Sequence, residues 1–193
     1  NSLVELYFNK CEEIDNNKPF LKWLGGKTQI IEKIISTMPT KMVNYHEIFL
    51  GGGSVLFAIL SLKKQNKISI KGEIFAYDIN EHLIDVYKTI RTKKDEFFIH
   101  LTKIKNIYHG LQFVNKNMNP QTYEEALTSK ESYYYWIRRQ FNEINKIAKA
   151  NTKCENSTDE INVEKCAMFV FLNKTCFRGM YREGPNGFNV PYG

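Results

Sequence analysis

Residues Tyr45–Ser54 have the sequence YHEIFLGGGS, in which an apolar stretch runs into three consecutive glycines and a serine. The residues Tyr45 to Phe49 predict a short strand, and those after Ser54 predict a helix of about ten residues that the serine hydroxyl caps. A glycine turn that joins a strand to a helix is typical of parallel α/β sheets. The stretch therefore predicts the first strand and the first crossover helix of such a sheet.

A second strand and helix follow in the same order. Glu73 to Tyr77 predict a strand that ends at Asp78, and the apolar residues between 83 and 90 have the spacing of an amphipathic helix. The first half of a parallel α/β sheet has this order of elements: strand, glycine turn, helix, strand, acidic residue and helix. The predicted fold class is therefore α/β, with a partial Rossmann-like sheet.

The flanking segments differ from this pattern. Residues 30–38 predict an amphipathic helix that Pro39 ends, and a polar, irregular lead-in precedes it over 1–19. Downstream of residue 92 no strand alternation is convincing, and the pattern is helical. These helices are expected over Lys93–Ile107, Glu131–Ala150 and Glu160–Thr175, with surface loops over 115–119 and 151–159. We predict two parts, one over 1–92 that binds a ligand and a mostly helical one over 93–193.

Composition narrows the class of protein. The 193 residues, 42% of them hydrophobic and 25% charged, suit one sizeable soluble domain or a domain with an insert. Neither a membrane-length apolar run nor a signal peptide is visible, which predicts a cytoplasmic location. The net charge of +6 favours a polyanionic partner such as nucleic acid, although a solvated basic face gives the same balance. The four cysteines and four histidines lack metal-ligand spacing, so no metal site is predicted and the cysteines are expected to be reduced and structural.

Two glycine motifs bear comparison with known nucleotide-binding patterns. GGKT at Gly25–Thr28 lacks the earlier glycine of a phosphate loop, whose position is occupied by Leu21, so a triphosphate site is not expected. Gly51 and Gly53, followed by Asp78 at the end of the next strand, predict an adenosine-containing cofactor whose ribose the acid binds. A turn that serves only helix packing, with a surface aspartate, remains the alternative. The nicotinamide fingerprint fails because position 56 is a leucine.

Basic and aromatic residues alternate in the tail. Lys174, Arg178 and Arg182 are interspersed with Phe177 and Tyr181. This composition suits neutralisation of a nucleic-acid backbone combined with contact to exposed bases, and a hairpin with a solvated face is the alternative. The run YYYW at 133–136 is more typical of a helix that buries its aromatic residues than of a stacking platform.

Four stretches resemble the motifs of one enzyme family. They are PFLKWLGGK (19–27), HEIFLGGGS (46–54), AYDINEHLI (76–84), and LNKTCFRGMYR followed by GFNVPYG (172–193). They are similar to F-x-K-W-x-G-G-K, E-P-F-x-G-x-G-S, D-x-N-x-x-L-I, and L-N-x-x-x-F/Y-N-G-x-x-R with F-N-V-P-F/Y-G. These motifs belong to the Dam-type, D12-class (alpha group) N6-adenine DNA methyltransferases, and their order here is the family's order.

The resemblance implies an S-adenosylmethionine-dependent methyltransferase that modifies N6 of an adenine flipped out of double-stranded DNA. Residues 1–92 would be the cofactor-binding part and residues 93–193 the helical target-recognition region with its hairpin. The same resemblance implies a monomer near the nucleoid that uses S-adenosyl-L-methionine as cofactor. It also implies a cognate restriction endonuclease as a further partner. The implied cofactor contacts are Trp23, Lys27, Glu47, Phe49, Gly51, Gly53 and Asp78, and the implied DNA contacts are Lys174, Phe177, Arg178, Met180, Arg182 and Asn189. Among the latter, Phe177 matches an aromatic that wedges into the base stack and Arg182 matches a base-reading arginine.

Two residues depart from the family pattern. Ile48 stands where the pattern has proline, and Arg178 stands where it has asparagine. The second lies in the recognition hairpin, where an arginine adds a phosphate or a guanine contact. The target sequence of the GATC enzymes is therefore not transferred to this chain.

The final residues FNVPYG differ by one letter from a catalytic Asn-Pro-Pro-Tyr quartet. In the family this landmark closes the recognition region, and the catalytic D-P-P-Y follows further on, after a hydrophobic strand. The residues before Phe188 are a turn, and Val190 replaces the required proline. We therefore expect no catalytic residue here, and an amino-terminal fragment that is inactive alone. The rival interpretations are a non-catalytic DNA-binding or regulatory protein of the same fold and a nucleotide-dependent Rossmann oxidoreductase.

Overall fold

The computed structural model describes residues 19–150 and 159–193. The chain divides into two compact units, a strand unit (Asn1–Ile84) and a helical unit (Asp85–Gly193). The predicted lead-in before Pro19 and nearly all of the predicted loop over 151–159 lie outside the described residues. None of the helices in the described ranges combines the length and the apolar character that crossing a bilayer requires.

The strand unit alternates short strands with helices. A 3₁₀ turn at Thr28–Ile30 leads into the first helix. The elements that follow are α1 (Ile31–Ser36), β1 (Lys41–Met42), β2 (Tyr45–Glu47), α2 (Ser54–Lys64), β3 (Ser69–Ile70), β4 (Ile74–Ala76) and α3 (Glu81–Thr92), whose last residues belong to the helical unit. The predicted α/β class is confirmed, while the helix predicted over 30–38 is shorter and buries only Ile31 fully.

Parallel pairing joins the strands on either side of α2. β1 pairs with β3 and β2 pairs with β4, so the strand, helix and strand form a parallel unit. The register advances by one residue between the two ladders, from Lys41 opposite Ser69 to Tyr45 opposite Ile74. Gly72 lies between the two ladders, where a side chain would overlap the Asn44 amide oxygen that accepts the Glu73 N–H at 3.0 Å.

One prediction about this unit is wrong. Helix α2 begins at Ser54, as the pattern predicts, but the serine is already the first helical residue and does not cap the helix. Gly53 takes the capping position with a φ of 80°, a left-handed conformation that favours glycine. The start of α2 therefore depends on the left-handed backbone of Gly53, and not on the Ser54 hydroxyl that the sequence pattern predicted as the cap.

The helical unit surrounds an aromatic core. Its elements are α4 (Lys94–Gly110), α5 (Tyr123–Ala126), α6 (Lys130–Ala150), α7 (Asp159–Thr175), a 3₁₀ turn (Phe177–Gly179) and a hairpin of β5 (Glu183–Gly184) and β6 (Gly187–Phe188). The largest fully buried side chains of this unit are Tyr134, Phe97, Phe141, Phe169 and Phe188. Tyr133, Tyr134 and Tyr135 are buried, which confirms the prediction for the three tyrosines of the run, whereas Trp136 is half-buried.

Two described cysteines lie in this core. Cys166 and Cys176 are buried, reduced thiols, as predicted for structural cysteines, whereas Cys11 and Cys154 lie outside the described residues. Burial raises the pKa of the Cys166 thiol to about 11, although the Thr89 hydroxyl donates to its sulfur at 3.4 Å. A thiol with so high a pKa is unreactive at neutral pH.

The FNVPYG segment is held inside the helical unit by hydrogen bonds. The Tyr134 hydroxyl and the Arg138 guanidinium donate to the Val190 carbonyl at 2.8 and 3.1 Å, and the Phe177 N–H donates to the Pro191 carbonyl at 2.9 Å. Phe188 and Val190 are buried. The segment therefore fixes the base of the hairpin to the helices.

Candidate functional site

A pocket of about 300 Å³ opens in the strand unit at the ends of β2 and β4. Six of the seven predicted cofactor residues line it, and the seventh, Gly53, caps α2 next to the glycine turn. Its lining is Trp23, Leu24, Gly25, Gly26, Lys27, Glu47, Phe49, Leu50, Gly51, Gly52, Ser54, Val55, Asp78 and Ile79. Three motifs that are far apart in the chain therefore meet at one cavity.

The glycine turn is packed too closely for side chains. Gly51 has a φ of 50°, and a Cβ there would lie 3.2 Å from Cδ1 of the Trp23 ring. A Cβ on Gly52 would lie 2.5 Å from the Leu21 carbonyl oxygen. The absence of side chains brings Trp23 against the turn and leaves backbone groups at the pocket wall.

Asp78 connects the two loops at the mouth of the pocket. Its Oδ2 accepts the Gly51 N–H at 2.9 Å, and its Oδ1 accepts the Asn80 N–H at 3.0 Å. Asn80 in turn accepts the Leu83 N–H at 2.9 Å with its side-chain oxygen, which caps α3. A carboxylate oxygen accepts more than one hydrogen bond, so both oxygens of Asp78 retain capacity for a ligand hydroxyl.

Glu47 supplies a second carboxylate to the pocket. The Tyr45 hydroxyl donates to its Oε2, and burial raises the pKa of the Glu47 carboxyl above its ordinary value. The Tyr45 hydrogen bond and the nearby Lys27 ammonium lower the same pKa in part. Lys27 is held in turn by a 2.8 Å hydrogen bond to the Gly25 carbonyl. A half-buried carboxylate that is incompletely neutralised attracts a cationic group.

Apolar side chains form the rim of the pocket. Phe49 is 87% exposed and Ile79 is 99% exposed, and Leu24 is also exposed. Large apolar side chains that stand in solvent beside a cavity are typical of a binding surface. Sequence reasoning missed Leu24 and Ile79, although each is the immediate neighbour of a residue that it did identify, Trp23 or Asp78.

The predicted DNA contacts gather at the C-terminal end of α7 and on the hairpin. Lys174 is exposed in the last turn of α7, and Met180 is half-buried after the 3₁₀ turn. Phe177 is 41% exposed, and the guanidinium carbon of Arg178 lies 5.1 Å from the centroid of its ring. Arg178 has a φ of 55°, a left-handed conformation that is uncommon for a residue other than glycine.

Arg182 and Asn189 face each other across the hairpin. The Arg182 Nε–H donates to the Asn189 side-chain oxygen at 2.7 Å, and Nη2 donates to the Asn189 carbonyl at 3.3 Å. The Asn189 N–H donates back to the Arg182 carbonyl at 3.1 Å. Both side chains are exposed, and neither lies in the pocket of the strand unit.

A parallel strand–helix–strand unit with a glycine-turn pocket and a helical unit that ends in a hairpin together define an α/β protein. Comparison with known protein families identifies the family within this class. Residues 23–193 match the D12 class N6 adenine-specific DNA methyltransferase family, and the chain belongs to that family.

Curated relatives are similar to the chain over most of its length. The chain is 36% identical to the Type II methyltransferase M.MjaIII of Methanocaldococcus jannaschii over 182 residues, which cover 91% of this chain and 52% of the relative. It is 29% identical to a DNA adenine methylase of Haemophilus influenzae, with 92% and 47% covered, and 27% identical to the Type II methyltransferase M1.LlaDCHI of Lactococcus lactis subsp. cremoris, with 92% and 48% covered. The chain thus spans about half the length of these relatives.

Proposed function

We propose that this chain carries the cofactor pocket and the target-recognition part of a DNA adenine-N6 methyltransferase. The proposed reaction transfers a methyl group from S-adenosyl-L-methionine to N6 of an adenine that is flipped out of duplex DNA. The observation that carries this proposal is the convergence of six predicted cofactor residues on one pocket, in a chain that belongs to the adenine methyltransferase family.

The residues of the pocket fit the proposed cofactor. S-adenosyl-L-methionine has a ribose with two hydroxyls, a planar adenine and an amino acid end that bears an ammonium group beside the sulfonium. Asp78 offers carboxylate oxygens for the hydroxyls, and Glu47 offers negative charge for a cation. Phe49 and Ile79 provide exposed apolar surface for the flat base. When bound, the cofactor supplies the methyl group, and these residues bind and orient it.

The helical unit carries the proposed contacts to DNA. Lys174 and Arg178 neutralise phosphates, and Phe177 with Met180 offers apolar surface to unstacked bases. Arg182 and Asn189 form the part of the hairpin that recognises the base sequence. Double-stranded DNA is therefore the proposed substrate.

Calorimetric titration of the 193-residue protein with S-adenosyl-L-methionine tests the cofactor assignment. We expect saturable binding that Asp78→Ala weakens by roughly tenfold or more, because charge-assisted hydrogen bonds are lost. Glu73→Ala is the matched control, since it removes an exposed carboxylate that does not line the pocket, and should bind like the wild type.

Titration with a nicotinamide dinucleotide distinguishes the rival enzyme class. Binding of that ligand in preference to S-adenosyl-L-methionine would overturn the proposal in favour of an oxidoreductase. Equal cofactor affinity for Asp78→Ala and wild type would instead remove Asp78 from the site.

A further inference from the structure

Among residues 19–150 and 159–193, the Arg182 side chain forms hydrogen bonds along one of its edges. The edge formed by Nε and Nη2 donates to the side chain and to the backbone carbonyl of Asn189, at 2.7 and 3.3 Å. A guanidinium carries five N–H donors in a planar fork. The end of the fork, formed by Nη1 and the second hydrogen of Nη2, has no role in this pairing and keeps the two parallel donors that bidentate recognition needs.

The residue before Asn189 is held in place by helix α6. The neighbouring Phe188 donates its N–H to the Asn142 side-chain oxygen at 2.8 Å, and its carbonyl accepts the Asn142 amide at 2.9 Å. Asn142 lies on α6, whose aromatic residues form the core of the helical unit. Hydrogen bonds from α6 thus fix the backbone of Phe188, and the next residue along the strand, Asn189, bonds the exposed Arg182.

Gly184 leaves the space that the Asn189 side chain occupies. A Cβ at this position would lie 2.7 Å from the Asn189 Nδ2, which is closer than a Cβ atom approaches another heavy atom. The Asn189 amide therefore fills the space above Gly184 and turns its oxygen towards Arg182. The pairing therefore depends on three residues: the arginine at 182, the asparagine at 189 and the glycine at 184 that leaves room for it.

We propose that Asn189 is a positioning residue for Arg182, which reads a guanine with the free end of its guanidinium, and that Asn189 does not itself contact a base. Guanine offers the two acceptors O6 and N7 in the major groove, and arginine binds them as a bidentate pair. Because its oxygen holds Nε, Asn189 restricts a flexible side chain to the orientation that presents the other edge. This inference rests on the proposed function, since it assigns a specificity role within DNA recognition.

The first test uses the free protein and does not depend on DNA. In nitrogen-detected NMR spectra, the Arg182 Nε–H of the wild type should be protected from exchange with solvent by its bond to Asn189. Asn189→Ala should remove this protection, and Asn189→Asp should retain it, because a carboxylate accepts the same hydrogen bond. An unprotected Nε–H in the wild type would overturn the positioning role.

The second test measures base discrimination. The wild type first selects its preferred duplexes from a randomised library. Competition titrations then compare the affinity for these duplexes with the affinity for scrambled ones. The proteins titrated are the wild type, Asn189→Ala, Asn189→Asp, Arg182→Ala and the double variant with alanine at both positions. We expect Asn189→Ala to lower discrimination by roughly tenfold, at the guanine that Arg182→Ala affects, and to have no further effect in the Arg182→Ala background. Asn189→Asp should keep the discrimination and lose affinity equally on all duplexes, through repulsion of phosphate.

Three outcomes separate the possible failures. Additive losses in the double variant would show that Asn189 contacts DNA on its own and would overturn the inference. The inference would also be overturned if Asn189→Asp lost as much discrimination as Asn189→Ala while the Arg182 Nε–H stayed protected. A wild type that shows no preference among duplexes, with Arg182 still protected in the free protein, would refute DNA recognition by this hairpin and leave only the structural pairing.

Discussion

The strand unit and the helical unit stabilise their functional residues by different means. In the helical unit the hairpin is attached to a closed aromatic core that contains Tyr134, Phe141 and Phe188. In the strand unit the strands are two or three residues long, and every residue of β4 is only half-buried. The pocket loops bury Leu21 and Leu50, and the hydrogen bond from Gly51 to Asp78 connects the two motifs.

This difference is visible on the outer face of the paired strands. His46 and Phe75 stack with ring centroids 4.7 Å apart, and Tyr77 stacks on His46 at 6.1 Å while remaining exposed. Aromatic residues that stack on one another in contact with solvent add less stability than those of a closed core, because less apolar area leaves water. The hairpin is therefore attached to a closed core, whereas the glycine turn and Asp78 are connected by a local hydrogen bond.

Removal of one aromatic ring from each unit is the strongest test of this contrast. Phe141→Ala should lower the free energy of unfolding of the helical unit by about 3–5 kcal/mol, because it leaves a cavity in a closed core. Phe75→Ala, at a half-exposed position, should cost the strand unit about 1 kcal/mol. Tryptophan fluorescence in urea titrations follows each unit separately, since Trp136 lies in the helical unit and Trp23 in the strand unit. The helical unit is followed in a Trp23→Phe background and the strand unit in a Trp136→Phe background. Losses of equal size would contradict the contrast.

A pair of glycine substitutions probes the backbone of the two units. Gly51→Ala should destabilise the strand unit by about 1–2 kcal/mol, because φ is 50° and the new methyl group approaches the Trp23 ring. Gly110→Ala, at the end of α4 and with open space around its Cβ, should stabilise the helical unit by about 0.5–1 kcal/mol. Thermal unfolding of both variants measures the difference. A stabilised Gly51→Ala would show that the turn does not need its left-handed conformation.

The two units also contain carboxyls with opposite pKa shifts. Burial raises the pKa of Glu47, so this group contributes stability at pH values below its unfolded pKa and loses it as the pH rises through the folded pKa. Hydrogen bonds from its own backbone N–H and from Thr122 lower the pKa of Glu124, so its contribution is present above the unfolded pKa and is lost as the pH falls. Unfolding titrations between about pH 3 and 7 should therefore show Glu47→Gln gaining on the wild type as the pH rises and Glu124→Gln falling behind it. Parallel curves for both variants would contradict these assignments.

The smallest expected effect on stability is at Arg178. Asparagine adopts the left-handed conformation more readily than arginine, but Arg178→Asn also loses the contact of the guanidinium with the Phe177 ring. We expect these changes to offset each other to within about 0.5 kcal/mol in thermal unfolding. Affinity for duplex DNA should nevertheless fall, and its salt dependence should become shallower if the arginine binds phosphate. A large stability change would mean that the residue serves the fold instead.

The residues of the pocket were predictable because each stands beside a glycine turn or at a strand end, where the sequence pattern changes. Asp78 and Gly51 could be assigned in this way, and the structure brings them within 2.9 Å of each other. Exposed apolar residues such as Ile79 give no periodic signal, because no buried face selects them. Their part in the pocket emerges only when two distant loops meet.

Other features depended on information that a linear pattern does not contain. The cap of α2 was misassigned because a serine and a left-handed glycine satisfy the same helix end, and only the backbone angle of Gly53 distinguishes them. The pairing of Arg182 with Asn189 depends on the register of the hairpin, which places Glu183 opposite Phe188. A shift of that register by one residue would turn the asparagine away from the arginine.

The grip of Asn142 on Phe188 has a consequence for solubility. Strand β6 pairs with β5 on one side, and the N–H and carbonyl of Phe188 on its other side are both bonded to this one amide. A side chain thereby takes the place that a third strand would occupy, and another polypeptide finds no free backbone groups at Phe188 to pair with. Loss of the amide in Asn142→Leu would expose this strand edge and make the protein prone to self-association through the hairpin.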